Sequence, residues 1–104
     1  MFVRLSGPGN GAELVDPADC KRFHVEYGVA GTAPGDVAAA LGDWADGATD
    51  DHVWIRVAAV RAAAAGRVGP GWEADFDGMV AFARTKGWLN ATGDAIAAHV
   101  ETPA

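Results

Sequence analysis

Asp51-His52-Val53-Trp54-Ile55-Arg56-Val57-Ala58-Ala59-Val60-Arg61-Ala62-Ala63-Ala64-Ala65 is the stretch whose reading decides the fold. Val53, Val57, Val60 and Ala64 recur at the three-and-four spacing of one helix face. That spacing predicts a helix over 51–65. Trp54 falls on one shoulder of the stripe and Ile55 nearly opposite it. A helix apolar on more than one side is covered on more than one side, so this segment is read as the centre of the core. Thr49 or Asp50 is placed to cap it, the acidic residues there suit its N-terminal dipole, and Gly66 stops it.

Upstream, Asp46 to Asp50 reads as a polar loop. A helix capped by Thr32 or Asp36 runs through about Trp44, with Val37, Ala40, Leu41 and Trp44 on one face. Phe23-His24-Val25-Glu26-Tyr27 is the clearest strand: Phe23, Val25 and Tyr27 share one side, His24 and Glu26 the other. Asp16-Pro17 reads as an N-cap and first helical proline opening a single turn through Cys20. Phe2–Leu5 and Ala12–Val15 read as short strands around a loop, Gly7-Pro8-Gly9-Asn10-Gly11.

Downstream, Gly69-Pro70-Gly71 is a connection, and Asp75 caps a helix from Phe76 to Lys86 with Phe76, Val80 and Ala83 inward and Met79 beside them. Gly87 suits a left-handed C-terminal cap, with Trp88 folding back as its hydrophobic partner. For Trp88 to Glu101, a hairpin turning at Thr92-Gly93-Asp94 is favoured over a short helix capped by Thr92. The expected architecture is one α+β domain over 1–104. It has a small antiparallel sheet of about four short strands, packed on one face by three helices.

The totals narrow the function. The 104 residues are one domain's worth, and with 50% hydrophobic residues the chain can bury a core. A net charge of −6 repels phosphate backbones and anionic membranes, so no nucleic acid and no membrane is expected as partner. No apolar run reaches membrane-spanning length. The N-terminus does not read as a signal peptide, and the single Cys20 allows no internal disulfide, so a cytoplasmic location is expected. The segment 76–100 does not read as a helix-turn-helix, because it has no Lys or Arg after Lys86.

His24-Val25-Glu26 recurs as His99-Val100-Glu101. In a strand, His and Glu two residues apart point the same way. If the two strands are neighbours, His24, Glu26, His99 and Glu101 gather on one face. Two imidazoles and two carboxylates are the ligand types of a divalent metal site and the groups of acid–base chemistry near neutral pH. Alternating polar residues on an open sheet face also need no function.

His52 and Arg56, one turn apart in the helical reading, can hold an anion together or be satisfied locally. Trp54 and Arg61 can stack at a pocket mouth, or be a core tryptophan with a snorkelling arginine. Trp44, Trp54, Trp72 and Trp88 seal the core rim or line a cleft. Cys20 lies four residues before His24, a spacing that specifies no nucleophile pair. No phosphate loop, nucleotide fingerprint or Gly-x-Ser-x-Gly is present.

These residues predict a binding or interaction domain, with a homodimer or a protein as partner, that uses an aromatic-rimmed patch or the exposed sheet face. The alternative is a small metal-binding or acid–base enzyme built on His24, Glu26, His99 and Glu101. No cofactor is expected apart from that divalent metal.

Overall fold

The computed structural model describes residues 1–7, 9 and 11–102. Pro8 and Asn10 of the expected first loop lie outside them. Strands β1 (Phe2–Leu5), β2 (Glu13–Val15), β3 (His24–Tyr27), β4 (Ala45–Ala48), β5 (Val53–Arg56), β6 (Ala95–Ala98) and β7 (Val100–Glu101) combine with helices α1 (Pro34–Leu41), α2 (Val57–Ala64) and α3 (Trp72–Thr85). The α+β class and the number of α-helices, three, stand as the sequence predicts.

The sheet differs from expectation: there are two. One has the order β2-β1-β3-β7, the other β4-β5-β6. The first is mixed. β1 runs antiparallel to β2, but β1–β3 and β3–β7 are parallel. The second is antiparallel throughout. Ala95 to Glu101 serves both, leaving the second sheet as β6 and entering the first as β7, with His99 at the crossing.

The largest correction falls on 51–65. Its first part is not helix but β5, a central strand whose Val53 and Ile55 face the core while Trp54 and Arg56 face away. Only Val57–Ala64 is helical, with Val60 and Ala64 buried. Val53, Trp54 and Ile55 fit a pleated surface as well as a helix. The decision comes from partners far in sequence. Ala45 lies opposite Ile55, and Ala98 and Ile96 lie opposite Val53 and Ile55. The first amide of α2, Val57 N–H, donates to Asp94 O at 2.9 Å, so the turn of β6 supplies what a cap side chain usually does.

Other differences follow. Part of the expected 46–50 loop is strand β4, and Thr49 is no helix cap. Its Oγ1 accepts from the amides of Asp51 and His52, closing the β4–β5 turn. α1 begins after Ala33 without a side-chain cap and ends at Leu41, followed by a single 3-10 turn over Gly42–Trp44. α3 starts earlier than predicted, behind left-handed Gly71, with Asp75 inside its first turn. Asp16 has positive φ and accepts from Asp19 N–H in a turn rather than capping a helix.

The end of α3 matches the prediction. Gly87 is left-handed, and Trp88 N–H reaches back to Ala83 O at 2.8 Å. The hairpin is present too: Leu89 bridges Ile96, and Asn90 N–H donates to Ala95 O.

One core cluster joins Val3, Leu5 and Val25 of the first sheet to Val53 and Ile55 of the second, with Val37, Val60 and Phe76 from the helices. Arg61 ties α2 to α3. It pairs with Glu73 and Asp77 and lies over the Phe76 ring, 4.8 Å from its centroid. Trp72 stacks on Phe76 and donates Nε1–H to Pro17 O. Among the described residues no helix is long and apolar enough to cross a membrane.

Candidate functional site

The two His-Val-Glu segments are neighbours. Val25 lies opposite Val100, and Glu26 opposite Glu101. On the other side of β3, Phe2, Val3 and Arg4 lie opposite His24, Val25 and Glu26. Three parallel strands therefore carry the same order: a flat ring, a valine, then a charge. The valines turn inward, and the rings and charges form two rows on the outer face.

The rings stack. Phe2 and His24 have centroids 4.7 Å apart, and His24 and His99 5.5 Å apart. The charged row has a like-charge contact at its end, because Glu26 and Glu101 sit on adjacent strands in register. That arrangement is destabilising unless it is bridged. His24 bridges it: its Nε2 is 3.3 Å from Glu26 Oε2 and 3.0 Å from Glu101 Oε2. His99 Nε2 is 3.3 Å from the same oxygen of Glu101. Ionised carboxylates only accept, so Nε2 of each imidazole carries the proton in these contacts. Arg4 sits between Glu13 and Glu26, 3.7 Å from each.

The four residues singled out as metal candidates thus come together, but their contacts are hydrogen bonds and ion pairs. Among the described residues no group of three or more His, Cys, Asp and Glu is arranged to hold a metal ion. The point where the two imidazole nitrogens converge is taken by the Glu101 oxygen.

Of the remaining candidates, His52 lines the same cleft as these four, whereas Trp54, Arg56 and Arg61 do not, and each has its own partner. Arg56 donates to Ala45 O and pairs with Asp46 at 3.3 Å. His52 Nδ1 is 3.1 Å from Thr49 Oγ1, and its ring stands edge-on to Trp54 at 4.6 Å. His52 Nε2 is buried without a hydrogen-bond partner among the described residues, with the Trp54 ring at its side. Arg61 faces Phe76 rather than Trp54. Burial, with Asp75 and Asp19 nearby, pushes the Cys20 thiol up from its ordinary value. A thiol kept neutral is a poor nucleophile, and no hydrogen bond joins it to His24.

His24, Glu26, His99 and Glu101 line a cleft of about 720 Å³. On its helix side stand Met79 and Phe82 of α3 and Trp88 beyond its cap. Phe82 is 55% exposed and Trp88 47%, packed edge to face. The aromatic rim and the polar sheet face are therefore two sides of one concavity. Sequence reasoning missed Met79 and Phe82 as cleft residues, and Phe2 and Arg4 as members of the rows. The signal for the latter pair was present, because Phe2-Val3-Arg4 repeats the ring–valine–charge order. No protein-family model, curated protein or solved structure matches the chain.

Proposed function

We propose that the chain is a small cytoplasmic binding domain whose site is this cleft, taking an amphipathic ligand. The reading rests on one observation: exposed Phe82 and Trp88 share a concavity with the His24–Glu101–His99 cluster. A site of apolar walls with a few convergent polar groups is the usual form of a small-ligand pocket. The aromatic side takes a flat or aliphatic body, and the imidazoles and carboxylates orient a polar head. Titration with indole and with anilinonaphthalene sulfonate tests it by two-dimensional NMR. Both probes are expected to shift the Phe82, Trp88 and His99 signals, and Trp88→Ala to weaken binding about tenfold, as for a lost aromatic anchor. Shifts scattered over the surface, unchanged by Trp88→Ala, would sink the reading. Self-association through the same aromatic patch is its protein–protein form, and a strictly monomeric species by light scattering at high concentration counts against it.

A second reading is favoured by one contact: a single oxygen of Glu101 lies between two imidazole nitrogens. Imidazoles in hydrogen-bond reach of a carboxylate are the groups that general acid–base chemistry uses. This is the acid–base alternative. Its metal-dependent form is tested by metal analysis of purified protein alongside His24→Ala and His99→Ala, and absence of bound metal from the wild type ends that form.

A further inference from the structure

We infer that the open side of β7 accepts an extended segment of another protein, in parallel register, with the residue order aromatic–aliphatic–basic. β7 is the edge of its sheet, and among the described residues no strand pairs with its outer side. In a parallel ladder a residue bonds to the two neighbours of the residue opposite it. Val25 N–H donates to His99 O at 3.0 Å, so Val25 uses the residues flanking Val100. The amide and carbonyl of Val100 itself then point away from β3, free for a further strand.

The side-chain chemistry selects the occupant. β3 offers His24, Val25 and Glu26 to β1, which answers with Phe2, Val3 and Arg4. β7 repeats the same three residue types and presents them to solvent. The His99 side chain is 65% exposed, its ring stacked among the described residues on His24 alone, and Glu101 is 53% exposed. The cross-strand partners that suit them are the ones β1 already supplies to β3: a ring on a ring, an aliphatic residue in line with the valines, and a cation beside a carboxylate. A cation there also offsets the Glu26–Glu101 pair, the one like-charge contact in the row. β1 is held between β2 and β3, so the segment comes from another protein rather than from a second copy of this strand.

The test titrates the intact protein with a capped peptide, Ser-Phe-Val-Arg-Ser, following backbone amides by NMR. The largest shifts are expected at residues 99–102. A peptide with Glu in place of Arg is expected to bind about fivefold more weakly, the ratio that replacing a favourable cross-strand charge pair by a like pair gives. Methylating the backbone nitrogen of the peptide's arginine removes its hydrogen bond to Val100 O and is expected to abolish binding. Because only the peptide changes, the fold of the protein is constant throughout. Equal binding of the Arg and Glu peptides overturns the proposal. So do shifts confined to Phe82 and Trp88, an outcome that leaves the cleft reading standing.

Discussion

His24 holds the candidate site together. Stacked between Phe2 and His99, it places one nitrogen against two carboxylates that would otherwise face each other. Both glutamates are about half exposed, so water screens the pair and the energies are small. His24→Ala is expected to destabilise by about 1 kcal/mol, and adding Glu101→Gln to recover part of it. Urea unfolding of the single and double variants measures this, and a double variant no more stable than the single one contradicts it. Gly28 is tighter. A Cβ there would lie 2.0 Å from Ser6 O, where Gly28 N–H bonds Leu5 O. The obstacle is backbone, so Gly28→Ala is expected to cost about 3 kcal/mol, seen as a lower urea midpoint. The repeated His-Val-Glu was legible at this scale because strand alternation alone puts His and Glu on one face. That the two copies adjoin was not legible, since strand order depends on the connections between them.

At the scale of elements, helix and strand compete for the same residues. Val53, Val57, Val60 and Ala64 satisfy a helical stripe, and Val53 and Ile55 equally satisfy a strand. Nothing local separates the two readings, and the alanines of β4 and β6 decide. The C-terminus of α3 was legible because one left-handed glycine and one backbone hydrogen bond define it. Gly87→Ala is expected to cost about 1 kcal/mol through that positive φ, measured as a fall in thermal midpoint. The 88–98 hairpin is closed by Asp94, whose carboxylate accepts from Asn90 and Thr92. Those hydrogen bonds, the Asn90 bond foremost, lower its pKa below the ordinary 3.8. A depressed carboxylate stabilises the fold above its unfolded pKa, and that stability is lost as pH falls through the folded value. Asp94→Asn is therefore expected to flatten the stability profile below about pH 4, in the range of ordinary carboxylates. Identical acid limbs for the two proteins would refute it.

Across the whole molecule, the chain builds most of one sheet, then the other, and returns to the first through β7. Both sheets share one core with Val60 and Phe76, so they are expected to unfold together. Hydrogen exchange tests this. The amides of Val25 and Ile55 should show protection within about 1 kcal/mol of each other and of the global unfolding energy, and a sheet that opens alone contradicts it. The cleft arises only at this scale. Its aromatic side comes from α3 and its cap, and its polar side from strands up to 77 positions distant, between His24 and Glu101. No periodicity within either segment announces that they face each other.

The ring row has one more consequence. The imidazole of His24 lies between two other aromatic planes, and circulating π electrons in those planes shield nuclei above and below them. The carbon-bound protons of His24 should therefore resonate upfield of their position in the urea-unfolded chain. A single resolved line in the proton spectrum then reports whether β1, β3 and β7 are assembled, and no label is needed to follow it.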